Sequence, residues 1–406
     1  MTIKKITGKL HLWLGLSSGL VVFIVAITGC IFTFEEELFG VFHSELARVE
    51  APSDTPKTLP VSTLQHVAQR AFGGKDTVSF VNIYRENDRA WEFDVYRYDD
   101  KKTANSFWDH AGLYWKKAYI NPYTGELNGI MDMKYEFFTV VRSIHQNLFL
   151  NPDIGSPIVG SATIIFIILL LSGFALWWPV NKAAARQRFA FRWKKTTRWK
   201  RKNYDLHNIL GFYILVFALF IGLTGIVWSF KWWENVVYTV LDGKVVRFKL
   251  PQNPDKTPAG NEPTHLFDQV VARIQKENPR YDRIFLSKNR STNTLTAGAN
   301  FKDNTLWTGY NYYMYNLSTG KEYGGLLQKN KTTGQKWRNS NYDLHTGKTL
   351  GYLGMTIAFF VSLISALLPL TGFYIWWGRR NKGKKGPVHS PETPPSYQMK
   401  GKAIIK

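Results

Sequence analysis

The sequence predicts a membrane protein with a bundle of four transmembrane helices and two extracytoplasmic α+β domains, the whole written twice by internal duplication. Three observations lead there. Four apolar runs, near 11–33, 156–178, 209–230 and 350–377, are each about the twenty residues an α-helix needs to cross a bilayer. The pentapeptide Asn203-Tyr204-Asp205-Leu206-His207 returns unchanged at Asn341–His345, and weaker copies of its last pair stand at Leu10-His11 and Ile144-His145. Spacings repeat as well: with His11 laid on His207, Gly15 falls on Gly211 and Thr28-Gly29 on Thr224-Gly225.

Charge orients the runs. Of a net +22 over 406 residues, the N-terminal tail, the segment 181–206 and the tail after Trp377 hold 21 basic residues against two acidic ones, or +19. The longer segments between runs one and two, and between three and four, are nearly balanced. The positive-inside rule therefore puts both termini and the middle loop in the cytoplasm, and the two long segments outside. Basic clusters beside membrane helices read as topology signals and contacts to anionic lipids, and nucleic-acid binding is set aside. Tryptophan pairs at 177–178, 232–233 and 376–377 fall where interfacial aromatics belong.

In chain order the expected units are these. Residues 1–34 form a cytoplasmic tail and the first membrane helix, 35–135 the first outer domain, and 136–180 a short outer helix with the second membrane helix. Residues 181–206 make the basic loop, 207–232 the third membrane helix, 233–340 the second outer domain, 341–378 the fourth helix and 379–406 a basic tail. Each outer domain opens with a helical pattern (61–72 and 264–276) followed by alternating β-rich runs: 77–84, 90–98 and 117–120, then 283–287, 294–299 and 309–316. Ile27-Thr28-Gly29-Cys30 has the look of a lipoprotein cleavage box. The long apolar stretch around it, and the matching Thr224-Gly225, favour an uncleaved helix. Cys30 is the only cysteine, which excludes an intrachain disulfide or a cysteine-based cluster within the chain.

Histidines stand at every apolar run. An ionisable group in a bilayer is costly and points to function, whereas a single histidine at a helix lip can simply meet headgroups. Four of nine in matched positions favour the functional reading; His43, His66, His110, His265 and His389 show no ligand pairing. Topology sorts the four into one pair per membrane face, His11 with His207 and His145 with His345. His345 lies close to its run, whereas Asn151–Gly155 separates His145 from its own and puts it on a short helix, 136–150, that must dip toward the bundle. Asp205 and Asp343 are candidate N-caps or orienters of the neighbouring imidazoles. Gly15, Gly19, Gly211, Gly347 and Gly351 suggest close helix packing around a flat group.

The segment Asn121-Pro122-Tyr123-Thr124-Gly125-Glu126, which follows an aromatic strand, gives the chain to about residue 385 a resemblance to the PepSY-associated transmembrane proteins. The second copy, Asn316-Leu317-Ser318-Thr319-Gly320-Lys321, departs from the pattern at Leu317. The resemblance implies that the outer domains are PepSY-like and that the protein is iron-regulated. It also implies kinship with bacterial inner-membrane ferric-siderophore reductases that carry two non-covalent haems b. On that reading His11, His207, His145 and His345 ligate haem iron, and Arg142 meets a propionate. Two imidazoles saturate the iron, which suits electron transfer. With no dinucleotide fingerprint and no P-loop, the electron donor is external, a quinol or a reductase. A ferric siderophore would dock at the outer mouth, near Tyr135, Phe137, Phe138 and Trp337. The alternatives are a membrane-anchored binding or regulatory protein, and a haem subunit serving a partner enzyme.

Overall fold

The computed structural model describes residues 2–53, 56–74, 76–97, 114–255, 257–302 and 306–380. His110, His389, Tyr98 and the basic tail beyond Arg380 lie outside them. The order of elements repeats. The first copy holds α1 (Ile3–Thr33), α2 (Glu35–Phe42), α3 (Ser44–Ala47), α4 (Val61–Ala71), β1 (Phe80–Tyr84), β2 (Trp91–Arg97), β3 (Tyr114–Ile120), β4 (Leu127–Asp132), α5 (Phe137–Asn147) and α6 (Pro152–Trp177). After α7 (Lys182–Arg188) the second copy gives α8 (Trp199–Asp205), α9 (Gly211–Ser229), α10 (Lys231–Asp242) and α11 (Leu266–Glu277). It continues with β5 (Arg283–Asn289), β6 (Thr294–Lys302), β7 (Thr308–Asn316), β8 (Glu322–Leu326), α12 (Thr333–Thr346) and α13 (Gly351–Arg380).

Among the described residues four stretches are long and apolar enough to cross a membrane: Ile3–Thr33, Pro152–Trp177, Trp199–Ser229 and Lys348–Arg380. The protein is multi-pass. In the bundle α1 packs against α6 and α13, and α9 against the same two, so α1 and α9 sit on one diagonal. The third stretch is α8 and α9 joined without a break through a π-helical turn, Leu206–Leu210, which contains His207. Such a turn inserts an extra residue per hydrogen-bonded ring and is found at functional positions in helices.

The two α+β copies share one sheet. Among the described residues eight antiparallel strands run in the order β4-β3-β2-β1-β5-β6-β7-β8. The copies meet at the β1–β5 pair, where Asn82 stands opposite Phe285 and Val81 opposite Leu286. Alternation decides the faces. Val81, Ile83, Phe93, Ile120, Ile284, Leu286, Leu295 and Tyr313 point to one side and form a continuous core with Leu64, Ala68, Val270 and Ile274 of α4 and α11. The other face is polar and aromatic. Here Lys117 pairs with Glu92 at 2.8 Å, Asn82 donates to Glu92 at 3.1 Å, and Trp115 Nε1 donates to Asp94 at 3.1 Å. That face looks toward the bundle: Phe39 of α2 stacks on Tyr119, and Arg142 of α5 lies 5.7 Å over the Trp115 ring.

The turn carrying the family resemblance survives its departure at Leu317. Asn121 Oδ1 accepts from the amides of Tyr123 and Thr124, and Asn316 Oδ1 from those of Ser318 and Thr319. Gly125 and Gly320 then take positive φ, +77° and +71°. The asparagine and the glycine make the turn, so proline is dispensable. Gly347 and Gly351 differ from expectation: at φ +81° and +61° they reverse the chain between α12 and α13 and are not a helix-packing pair. The first copy makes the same reversal after α5 with Leu148 and Phe149, at φ 56° and 60°, a backbone strain that non-glycine residues adopt where surrounding structure enforces it.

Candidate functional site

Both short helices that precede a membrane helix are built alike. Glu136 caps α5, accepting from Phe138 N at 2.9 Å and Thr139 N at 2.8 Å. Thr332 caps α12 through a reciprocal box with Gln335. Each helix descends from the sheet to the bundle, so His345 is not on its own membrane run but on α12, the counterpart of His145 on α5. The two rings meet with centroids 6.2 Å apart. At the opposite end His11 of α1 and His207 of the π turn meet at 6.4 Å, edge to face.

Each imidazole is seated on a hydroxyl–glycine dipeptide of a neighbouring membrane helix. His11 Nδ1 lies 2.9 Å from Ser172 Oγ, His207 Nδ1 2.9 Å from Thr371 Oγ1, and His345 Nδ1 3.0 Å from Thr224 Oγ1. His145 Nδ1 is 3.3 Å from Thr28 Oγ1 and 2.9 Å from the Val25 carbonyl. Beside each hydroxyl a glycine leaves room for the ring: a Cβ placed on Gly173, Gly372, Gly29 or Gly225 would stand 3.1–3.2 Å from the Cε1 of its histidine. Thr28-Gly29 and Thr224-Gly225, which the repeat lays on one another, are two of these four seats, and Ser172-Gly173 and Thr371-Gly372 are the other two.

The exact repeat at 203–207 and 341–345 also acquires a reason. Asparagine and histidine four apart share one helix face. Asn203 Nδ2 donates to the Thr371 carbonyl at 3.0 Å while His207 meets the hydroxyl of the same residue. Asn341 and His345 grip Thr224 in the same two-point way, Asn341 Nδ2 donating to its carbonyl at 3.1 Å. The aspartates of the motif do not orient the imidazoles. Asp205 accepts from Trp193 Nε1 and Arg201, and Asp343 from Thr308. Each fastens its helix to a neighbouring segment, and neither caps the helix that bears its histidine.

A cavity of about 540 Å³ surrounds the pair nearer the sheet, within the 300–1,000 Å³ usual for cofactor-sized sites. All four membrane stretches contribute apolar wall, with Val25, Phe166, Ile221 and Val361 among the residues. Arg142, Arg338, Asn339 and Tyr342 stand at its sheet end. Arg338 donates to Glu234 at 2.7 Å. Close by, Lys348 holds Glu36 at 3.0 Å, and burial, opposed by Arg142 and Lys348, pushes the Glu35 carboxyl up to about 7. Trp228 meets the His345 ring edge-on at 5.3 Å. Tyr135 and Phe137 are exposed, Phe138 and Trp337 are buried in packing, and none of the four is on the cavity wall. The aromatic residues of the cavity wall are Phe32, Phe166, Trp228 and Tyr342.

The donor set fits a bis-imidazole metal centre. With metal–nitrogen bonds of about 2.0–2.1 Å, two rings facing one metal have centroids roughly 6.3 Å apart, close to both observed separations. Two imidazoles fill two coordination positions, and a haem would supply the remaining ones from its macrocycle. An apolar slot with two arginines at one rim matches a flat hydrophobic group with acidic tails. Of the other histidines, His43 and His265 pair with Glu45 and Asp268, and His66 is exposed.

No curated protein matches the chain. The family model for the PepSY-associated TM region matches residues 9–379, spanning the helices that carry all four histidines and the sheet between them, and the chain belongs to that family.

Proposed function

We propose that this protein is a di-haem b oxidoreductase of the bacterial inner membrane that passes electrons from an external donor, a quinol or a reductase, to a ferric siderophore on the outer side and so releases its iron. The observation that carries the reading is the pairing of His11 with His207 and of His145 with His345 at near-equal separations, one pair toward each end of the bundle. When bound, a haem at each pair supplies a coordinatively saturated one-electron iron couple.

The chain's own contribution is placement. His11 and Gly29 are 18 residues apart on α1, as are His207 and Gly225 on the third stretch, so both diagonal helices set the two pairs about 27 Å apart along the axis at 1.5 Å per residue. Arg142 and Arg338 offer positive charge to acidic groups at the sheet end. The charge imbalance supports a sheet on the outer side of the membrane. A bulky iron chelate has no route into a packed bundle, so electrons must leave at the mouth beneath the polar face of the sheet.

Purified protein tests this directly. A Soret band with reducible α/β bands, two haems per chain, and loss of one of them in each of His11→Ala, His207→Ala, His145→Ala and His345→Ala are expected. Protein isolated from haem-replete cells without these bands overturns the proposal.

A further inference from the structure

We infer that Ser172, Thr28, Thr224 and Thr371 are positioning residues that fix all four imidazoles as the Nδ1–H tautomer, so that each ring turns its bare Nε2 toward its partner. The inference deepens the proposed function and rests on it for its purpose, but its geometry stands alone. A hydroxyl has one proton to give. In each seat that proton has a taker on its own helix: Thr28 Oγ1 donates to the Ile24 carbonyl at 2.7 Å, Thr224 to Phe220 at 2.9 Å, Thr371 to Leu367 at 2.9 Å and Ser172 to Leu169 at 3.2 Å. This is the back-bonding habit of helical serine and threonine. With its proton so placed, the oxygen meets the imidazole only as an acceptor, and Nδ1 must be the donor. His145 gives an independent check, because the Val25 carbonyl 2.9 Å from its Nδ1 can only accept.

Two further features make the seat rigid. The glycine beside each hydroxyl admits the ring edge at Cε1, which fixes its rotation about Cβ–Cγ. Asn203 and Asn341 pin the backbone of Thr371 and Thr224 to the helix that carries the histidine. Ligating histidines commonly give their second N–H to a carboxylate or carbonyl, and loss of that partner typically weakens metal binding by about 10–100-fold. Here a neutral hydroxyl does the same without bringing a charge into the bilayer.

The test uses the full-length protein in nanodiscs with ¹⁵N-labelled histidine, first free of haem and then titrated with it. Nitrogen shifts in the haem-free protein should report Nδ1–H and a bare Nε2 at all four positions. Thr224→Val, which keeps the shape and removes the acceptor, should mix the tautomers at His345 and weaken uptake of one haem about 10–100-fold, whereas Thr224→Ser should restore both. Nε2–H signals at the four positions, or a valine variant matching wild type in both tautomer and affinity, overturn the inference. Wild-type protein that shows the Nδ1–H signals yet takes up no haem overturns the proposed function and leaves the tautomer assignment standing.

Discussion

The imidazole of His345 lies directly against Gly225: a methyl group on that glycine would stand 3.1 Å from its Cε1. That distance is tighter than ordinary contact. Gly225→Ala should therefore tilt the ring and shift the spectrum of the sheet-end centre, and Gly225→Val should abolish that centre, halving haem per chain. Chain folding should be little changed, because either residue suits a helix better than glycine. Haem content against protein concentration, with far-UV circular dichroism as control, checks both.

Electron delivery should be one-sided. Reduced protein in sealed vesicles oriented with the sheet outward is expected to be reoxidised within milliseconds to seconds by an added ferric siderophore, and His345→Ala to abolish this. Stopped-flow absorbance follows it. Reoxidation only by a partner protein would favour an electron-transfer subunit.

Orientation is checked apart from chemistry. A reporter active only outside the cytoplasm should be silent when fused after Thr196, in the basic loop, and active when fused after Lys249, ahead of the second copy's sheet strands. Activity after Thr196 would invert the proposed direction of electron flow.

Stability should respond to pH through Asp94. Burial raises its carboxyl to about 6, despite Lys117 nearby and the hydrogen bond from Trp115. Its unfolded value is about 3.9. The folded state therefore holds a proton that the unfolded state has lost between those values, and stability drains away as pH climbs from about 4 to 6. Asp94→Asn removes this cost, so the variant should gain up to about 3 kcal/mol over wild type above pH 6 and nothing near pH 4. Thermal melts across that range report the crossover.

Much of the site was legible because apolar length and a rare polar residue are both strong signals in a membrane chain. The four runs, the four histidines and their division into two pairs follow from such signals. What escaped depends on partners that periodicity does not name. Strands β1 and β5 read as ordinary strands, and nothing local says that they pair with each other across the two copies. The edge strands β4 and β8, Leu-Asn-Gly-Ile-Met-Asp and Glu-Tyr-Gly-Gly-Leu, are too rich in glycine and polar residues to show alternation. The π turn at Leu206–Leu210 has no breaker residue to announce it. The hydroxyl–glycine pairs of the seats show in the sequence only as repeated spacing, because their meaning appears only when a ring from another helix arrives. The i, i+4 spacing of Asn203 with His207 was the one visible clue that both side chains look the same way.

The seam between β1 and β5 sets a schedule for making this protein. About 200 residues separate Tyr84 from Arg283, so at roughly 5–20 residues per second the ribosome finishes the second strand some 10–40 s after the first. For that interval the earlier half waits with the inner edge of its sheet bare, its row of amides and carbonyls open to any passing strand. Two more membrane helices must be threaded before the matching edge arrives. Until then Phe80–Tyr84 is an unpaired strand edge, and its partner is this chain's own later segment.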